Sequence, residues 1–339
     1  MAHYDKVILT PGPSFYKNNL FNELAKKQKI AVFYTGANTH ERNADFYKGE
    51  LTYENLYLPH GKVSLLYYWR NFLQKNSYDE LIVSGWDTLA SYIAAFLSKR
   101  RKNACIVEST DNESQTGGLK GFIKRMLILR MTMAYVPGTP HERLVRSLGF
   151  KGKVVKTGGC GLLNYIPQPP FVSRGSVKHF LFVGRLTPVK NLDFLIRVFN
   201  ELPQYELTII GFGPQEEMLK SIAGPNVKFL GAIYNKELPK YYRSADVFML
   251  CSYSETWGLV VEEALNNGTP VIVSDRVGCN EDLVSKEVGV VFHNNDKESL
   301  LAAIRQITDM SYYNKLRQGV SLMNFDERAQ RQVSVFLNN

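Results

Sequence analysis

The sequence lacks any long run of apolar residues and any cluster of cysteines. No window approaches the roughly 18 consecutive apolar residues of a membrane-spanning helix, so we expect no transmembrane segment. The first nine residues include His, Asp and Lys, which is typical of a first strand and not of a secretory signal. The four cysteines are scattered without a C-x-x-C pair, so neither a zinc site nor a disulfide framework is predicted. A reducing cytoplasm is the expected location.

Acidic residues are scarce in the first half of the chain. The formal net charge is +9, and residues 1–160 hold 23 Lys and Arg against 13 Asp and Glu, a balance of +10. Residues 161–339 balance at −1. A basic half indicates a polyanionic partner, such as an anionic membrane, a phosphorylated substrate or nucleic acid. Ordinary solubilising lysine is the alternative.

One stretch of the basic half has no acid at all. Between Glu113 and Glu142, residues 119–133 combine apolar side chains with four cations: Lys120, Lys124, Arg125 and Arg130. The pattern predicts a basic amphipathic helix of a kind that can lie on anionic lipid. A core helix with a cationic outer face is the alternative interpretation.

Short buried strands alternate with helical patterns along the whole chain, which predicts parallel sheets covered on both faces. A break rich in Gly and Pro interrupts the alternation at residues 158–170. We therefore predict an α/β fold of two tandem Rossmann-like, doubly wound domains facing across a cleft. The predicted parts are a first domain at 1–162, a linker at 163–177, a second domain at 178–324, and a helix at 325–339 that packs back on the first domain.

Two glutamates eight residues apart border the start of a predicted helix. Glu255 lies in the loop after an apolar strand, and Glu263 lies about one turn into the next helix. Gly258 and Leu259 begin that helix, where free backbone N–H groups suit a diphosphate. Carboxylates suit sugar and ribose hydroxyls. Glu262 is about 100° round the helix and is expected to face elsewhere. Two glutamates that merely complement the helix dipole are the alternative.

A second constellation follows the first strand of the predicted second domain. Gly184 permits a close backbone approach to a ligand, and Arg185 and Lys190 are two cations that can hold a leaving diphosphate. A solvated loop at the strand end is the alternative. In the first domain, Gly12 lies in a turn after the first strand, where a purely structural turn is equally compatible with the sequence.

The motifs of the second half resemble the retaining glycosyltransferases of family 4, which have the GT-B fold. The matching segments are 182–191 (FVGRLTPVKN), 210–214 (IGFGP), 227–231 (VKFLG), 253–265 (YSETWGLVVEEAL) and 268–275 (GTPVIVSD). The resemblance implies that the E-x7-E motif falls on Glu255, which approaches the donor sugar, and on Glu263, which approaches the ribose.

The resemblance also implies roles for the residues around this motif. Arg185 and Lys190 match the diphosphate-binding pair, and Gly258 and Leu259 match the backbone phosphate contacts. Gly12 resembles the flexible glycine turn of the first domain. The family often places a His after the fourth strand of that domain. Glu108 stands at the matching position here, and we expect it to orient the sugar or the developing positive charge.

The resemblance implies a metal-independent retaining glycosyltransferase with no cofactor besides its nucleotide-sugar co-substrate. It also implies that the domain at 1–162 binds the acceptor and the domain at 178–324 binds the nucleotide-sugar. No D-x-D motif is present to bind a metal. The expected donor is a UDP-sugar rather than a GDP-sugar, and the expected acceptor is a saccharide or a polyprenyl-diphosphate-linked saccharide. Synthesis of a bacterial surface polysaccharide (capsule, O-antigen or exopolysaccharide) is the expected process. The expected location is cytoplasmic, at the inner face of the cell membrane if the basic helix contacts anionic lipid.

Two other functions remain open from the sequence. Nucleotide-sugar epimerases share the architecture, but they need an acid/base cluster, for which Glu108, Asp111 and Glu113 are the candidates. A nucleic-acid-binding role would use the basic half, although no RNA-recognition, helix-turn-helix or zinc pattern is present and no nucleic-acid partner is expected.

Overall fold

The computed structural model describes residues 2–36 and 49–338. It divides into two compact units: Met1–Leu163 with Glu327–Asn339, and Asn164–Asp326. Each unit is built on a parallel sheet with helices packed against it, so the predicted pair of Rossmann-like, doubly wound domains is confirmed. The first unit ends at Leu163, which is one residue beyond the predicted boundary at 162.

The sheet of the first unit has seven parallel strands among the described residues, in the order β3-β2-β1-β4-β5-β6-β7. The strands are β1 Ala2–Thr10, β2 Ile30–Tyr34, β3 Glu54–Tyr57, β4 Asn76–Ser84, β5 Asn103–Ile106, β6 Met133–Val136 and β7 Lys153–Lys156. β1 lies inside the sheet between β2 and β4, and its Val7, Ile8 and Leu9 are fully buried. Burial on both faces explains why the central strands read as continuous apolar runs.

Helices cover both faces of this sheet. They are α1 Phe15–Ala25, α2 Lys62–Lys75, α3 Leu89–Leu97, α4 Gly118–Ile128, α5 Thr139–Ser147 and the last helix of the chain, Phe325–Leu337. One core contains buried side chains of α1 and the last helix, and the other contains those of α2, α3, α4 and α5. Phe336 of the last helix stacks on Tyr135 with ring centroids 4.4 Å apart.

The second unit repeats the design with six parallel strands, in the order β10-β9-β8-β11-β12-β13. Its strands are β8 His179–Val183, β9 Glu206–Ile210, β10 Val227–Gly231, β11 Val247–Leu250, β12 Val271–Ser274 and β13 Gly289–Phe292. Its helices are α6 Leu192–Asn200, α7 Glu216–Ile222, α8 Leu238–Ser244, α9 Leu259–Asn266, α10 Lys297–Thr308 and α11 Met310–Ser321; the last helix is α12. In both units the strand order reverses direction beside the first strand, which is where doubly wound folds place ligands.

The segment predicted as a linker, 163–177, belongs to the second unit from Asn164 onward. The amide of Asn266 bonds both the N–H and the carbonyl of Ile166, each at 3.1 Å. Arg174 forms an ion pair with Asp246, whose other oxygen accepts the N–H of His179 at 2.9 Å. The segment is therefore a strap on the second unit, because its backbone groups find partners there instead of in solvent.

Candidate functional site

The loop after β8 brings Gly184, Arg185 and Lys190 to the carboxyl edge of the second sheet. The Gly184 N–H donates to the Ile210 carbonyl at 2.9 Å, which joins this loop to the end of β9. A Cβ on Gly211, whose φ is +142°, would lie 1.8 Å from the Gly184 carbonyl oxygen. The glycine of the IGFGP segment is thus required by the close approach of two loops.

Lys190 lies in a 3-10 turn at the end of the same loop and forms an ion pair with Glu255. Their side chains are only 13% and 17% exposed. The Tyr253 N–H also donates to the Val189 carbonyl at 2.8 Å, so main chain joins the two loops beside the ion pair. The structure therefore brings together two of the predicted donor-binding side chains, from loops 65 residues apart.

The loop after β12 fixes the backbone of Glu255. The Glu255 N–H donates to the Arg276 carbonyl at 3.2 Å, and the Gly278 N–H donates to the Glu255 carbonyl at 2.8 Å. A Cβ on Gly278 would lie 1.8 Å from the Thr256 carbonyl oxygen. Both backbone polar groups of Glu255 are thus bonded to the loop after β12, which leaves its side chain as the adjustable part.

Gly258 is the residue before α9, and Leu259 is the first residue of that helix. The φ of Gly258 is +101°, a conformation that side chains other than glycine rarely adopt. A Cβ there would also lie 3.0 Å from Cγ1 of Val277. The turn aims the first backbone N–H groups of α9 toward the same sheet edge as Lys190, because α9 directly follows the loop of Glu255.

Glu263 lies on α9 and accepts a hydrogen bond from the Tyr242 hydroxyl at 2.8 Å. Burial raises the pKa of Glu263 from 4.5 to about 7; the Tyr242 hydroxyl opposes the shift and the Glu262 carboxylate adds to it. Glu262 is fully buried, and the Tyr165 hydroxyl lies 3.4 Å from it. Glu262 therefore points into the unit, and Glu263 is the half-buried member of the pair.

In the first unit, Glu108 follows β5 and forms an ion pair of 3.1 Å with Lys17 of α1. Burial alone would lower the pKa of Lys17, but the facing Glu108 carboxylate outweighs burial and the pKa is raised. Both line a cavity of about 20 Å³, together with Thr10, Ser84, Thr157 and Cys160 among others. This volume accommodates roughly one water-sized polar group.

Gly12 lies just beyond β1 in the same unit. A Cβ at this position would meet no described atom within 4 Å. The φ of Gly12 is not positive, unlike that of many other described glycines. Local geometry within the described residues therefore does not require glycine at position 12.

The acidic residues that follow Glu108 have partners within the first unit. Asp111 pairs with Arg143 at 2.6 Å, and Glu113 accepts the Thr110 N–H at 3.2 Å. With Glu108 held by Lys17, all three candidates for an epimerase acid/base cluster have protein partners. This arrangement supports structural roles for Asp111 and Glu113.

The basic helix predicted over 119–133 is shorter in the structure, because α4 ends at Ile128 and β6 begins at Met133. Lys120, Lys124 and Arg125 lie on α4, whereas Arg130 lies in the turn that follows it. Lys124 donates to Ser114 Oγ at 2.5 Å, and its Nζ lies 5.1 Å from the Trp86 ring centroid. Arg130 donates to the carbonyls of Ala95 and Ser98 at 3.2 and 2.9 Å. Lys120 and Arg125 are exposed.

Sequence reasoning missed Lys17 and Tyr242. Lys17 is a cation one turn into the first helix, and its 91-residue separation from Glu108 hides the pairing. Tyr242 lies on α8, where a buried tyrosine looks like core until its hydroxyl is seen to meet Glu263. The signal available was an aromatic with a polar tip on an otherwise apolar helix face.

The C-terminal unit matches a known family. Residues 169–321 match the model of glycosyl transferases group 1. Sulfoquinovosyl transferase SQD2 of Arabidopsis thaliana is 34% identical over 151 residues, which cover 43% of this chain and 28% of that protein. The O-antigen biosynthesis glycosyltransferase WbnH of Escherichia coli is 31% identical over 161 residues, which cover 47% and 46%. The matches thus span less than half the length of these relatives.

Solved structures extend the likeness to both units. Sucrose-phosphate synthase from Thermosynechococcus elongatus has a TM-score of 0.74 at 19% identity, over 98% of each chain. HepE from Anabaena, solved with UDP and glucose, has a TM-score of 0.70 at 15% identity, over 98% of this chain and 100% of that one. These similarities establish the GT-B fold for the chain, and the family match within Asn164–Asp326 establishes that its second unit belongs to the glycosyl transferases group 1 family.

Proposed function

We propose that the protein is a retaining glycosyltransferase that moves a sugar from a UDP-sugar to a saccharide or a polyprenyl-diphosphate-linked saccharide. The observation that carries the proposal is the Lys190–Glu255 ion pair beside the start of α9, within a unit of the glycosyl transferases group 1 family. It combines a cation, a carboxylate and free helix N–H groups, which are the groups a nucleotide-sugar needs.

In this proposal, Lys190 and Arg185 hold the donor diphosphate with the N–H groups of Gly258 and Leu259. A lysine ammonium has three donor hydrogens, so Lys190 can keep Glu255 and bind a phosphate oxygen at once. Glu255 then accepts hydrogen bonds from the hydroxyls of the donor sugar. Glu263 accepts those of the ribose when its carboxylate is ionised.

The chemical step requires the leaving diphosphate to be stabilised more than it requires a strong protein base. The bond between the anomeric carbon and the donor diphosphate breaks, and the acceptor oxygen bonds to the same face of that carbon. The leaving phosphate takes the proton of the acceptor hydroxyl. The cations beside the diphosphate then stabilise the charge that develops on it, with no metal ion needed. Glu108, held by Lys17, orients the sugar or steadies the positive charge at its anomeric carbon.

The comparisons support a nucleotide-sugar donor and leave its base as part of the proposal. HepE was solved with UDP and with UDP-glucose, which favours UDP. A GDP-mannose-dependent alpha-mannosyltransferase of Mycobacterium tuberculosis, 39% identical over 110 residues, makes GDP the competing base. Two O-antigen biosynthesis relatives favour a role in bacterial surface polysaccharide synthesis.

We also propose a cytoplasmic location, with peripheral attachment to the inner face of the membrane. The +10 balance of residues 1–160 supports it. Among the described helices, none is long and apolar enough to cross a bilayer.

A turnover assay tests the proposal. A thermal-shift screen with UDP, GDP and ADP first selects the nucleotide that binds. The protein is then incubated with radiolabelled UDP-sugars or GDP-sugars, the acceptor and a metal chelator. Lys190→Ala should lower turnover at least ~100-fold, as expected for loss of a charge-stabilising donor. NMR of the product should find the anomeric configuration of the donor. Wild-type turnover by Lys190→Ala, or an inverted product, would refute the mechanism.

A further inference from the structure

Three helices of the first unit lie side by side over one face of its sheet. α2 packs against α3, and the Tyr92 hydroxyl of α3 donates to the Ile123 carbonyl of α4 at 3.4 Å. Arg100, just after α3, donates to the Leu129 carbonyl at 3.0 Å. All three helices bury their inner side chains in one core, so their outer sides form a continuous surface.

The outer surface of these three helices carries exposed apolar side chains, whereas the solvent-facing side of a helix is ordinarily polar. Val63 of α2 is 80% exposed, and Leu119 and Phe122 of α4 are 74% and 60% exposed. Tyr67, Leu89 and Phe96 are also exposed on α2 and α3. Single exposed apolar residues are ordinary, but a cluster on three neighbouring helices marks an interaction surface.

Three of these exposed residues lie near the N-terminal ends of their helices. Val63 is the second residue of α2, Leu89 is the first of α3, and Leu119 is the second of α4. In a parallel α/β sheet each helix starts at the carboxyl edge of the strands. The apolar ends therefore lie on the side of the unit that carries Glu108.

The charge of the surface has one sign. The sequences of α2, α3 and α4 contain no Asp or Glu, whereas α2 contributes Lys62, Arg70 and Lys75 and α4 contributes Lys120, Lys124 and Arg125. The nearest acid on the chain is Asp87, in the turn before α3. A surface with apolar tips and a cationic surround is complementary to the headgroups and acyl boundary of anionic phospholipid.

The same features disfavour other occupants. Two copies of this surface would bring like charges face to face, which opposes a symmetric dimer. Nucleic acid would use the cations but would leave the aliphatic tips Val63, Leu89 and Leu119 in water.

We propose that the outer surface of α2, α3 and α4 docks the protein on an anionic phospholipid bilayer. The apolar N-terminal ends insert at the headgroup level and the cations bind lipid phosphates. The surface is wider than the basic helix α4 alone, since α2 and α3 share it. Docking rests on the peripheral attachment proposed above and identifies its surface. It does not depend on the transferase chemistry, so its failure would leave the proposed activity untouched.

Vesicle flotation of the full chain tests the proposal, using phosphatidylcholine vesicles with and without phosphatidylglycerol. Wild type should float with the anionic vesicles only. Lys120→Glu should weaken partition by at least roughly fivefold, the effect of one cation near the surface. Val63→Glu on α2 and Leu119→Glu on α4 should each weaken it by about tenfold, through loss of apolar insertion. Exposed positions leave the thermal midpoint unchanged.

Matched controls come from the second unit. Leu322 is 78% exposed, so Leu322→Glu repeats the change of Leu119→Glu on another surface and should float like wild type. Lys315→Glu does the same for Lys120→Glu. Unchanged flotation of Val63→Glu would overturn the three-helix surface, and absence of wild-type flotation would overturn docking altogether. A dimer in sedimentation that Leu119→Glu dissociates would assign the surface to a second copy instead.

Discussion

Nζ of Lys190 and the carboxylate of Glu255 form an ion pair that joins the loop after β8 to the loop after β11. Both side chains are mostly buried, so each would lose a partner in a poorly hydrated place if the other were removed. The pair therefore links the integrity of the two loops to the binding chemistry proposed for them.

A double-mutant cycle should measure this link. Lys190→Met and Glu255→Gln should each lower the free energy of unfolding, while the double variant should lose less than the sum of the two. We expect a coupling on the order of 0.5–3 kcal/mol in urea denaturation. Additive losses would contradict the pair. Lys240→Met with Glu237→Gln, an exposed pair at 3.1 Å, is the control and should couple weakly.

Glu263 should make donor binding depend on pH. Its pKa of about 7 means that the carboxylate needed for the ribose hydroxyls forms only as pH rises through that value. UDP affinity, measured by calorimetry, should therefore increase from pH 6 to pH 8. For a one-proton titration the affinity changes by roughly tenfold per pH unit where the dependence is steepest. Glu263→Gln should have a flat profile, and a flat wild-type profile would refute the role.

The same carboxyl group should affect stability with the opposite sign. Between the ordinary value of 4.5 and about 7, the native carboxyl keeps a proton that the unfolded chain releases. Stability should thus fall as pH rises through this window and level off above it. Removing the Tyr242 hydroxyl by Tyr242→Phe should raise the pKa of Glu263 further and move the fall to higher pH. Thermal melts of Tyr242→Phe and Glu263→Gln, each compared with wild type across this pH window, would detect the shift. Identical profiles would contradict it.

Lys17 should act on activity through Glu108. Lys17→Met leaves the Glu108 carboxylate unpaired in a mostly buried place, which should cost about 2 kcal/mol of stability and lower kcat. Adding Glu108→Gln should restore stability, because both charges are then gone, without restoring kcat. Lys17→Arg is the conservative control. Full recovery of kcat in the double variant would remove Glu108 from the chemistry.

Two glycines should respond differently to alanine. Gly258→Ala should lose about 1–2 kcal/mol, because its φ of +101° is strained for any side chain. Gly12→Ala should leave stability unchanged, since a Cβ there meets no described atom within 4 Å. A fall in turnover for stable Gly12→Ala would support the proposed role of that turn in donor binding. Equal stability of the two variants would contradict the strain argument.

The sequence predicts the elements well because the signals are local. Buried strands such as Ile30–Tyr34 and Val247–Leu250 are short apolar runs, and the glycine before α9 marks its start. Motif spacing also places Glu255 and Lys190 at the same edge of one sheet. These features depend on a few neighbouring residues, so periodicity and turn chemistry are sufficient.

The features that escape prediction depend on distant partners. Lys17 meets Glu108 because α1 and the end of β5 meet at one sheet edge, and Tyr242 meets Glu263 because α8 packs beside α9. The Pro-rich strap is predicted as a linker because prolines are compatible with a linker and with a strap. The contact of Ile166 with Asn266 that distinguishes them becomes visible only in three dimensions. Exposure of the apolar side of α4 likewise depends on what surrounds it.

The cavity beside Glu108 is also lined by a cysteine that a reagent can reach. Cys105, Cys251 and Cys279 are buried, and burial raises the pKa of the Cys105 thiol to about 12, so it resists alkylation. Cys160 is only partly covered, and it lines the cavity with Lys17. A thiol-reactive fluorophore should therefore label the folded chain at one place, which makes occupancy of this region observable in solution without introducing a cysteine.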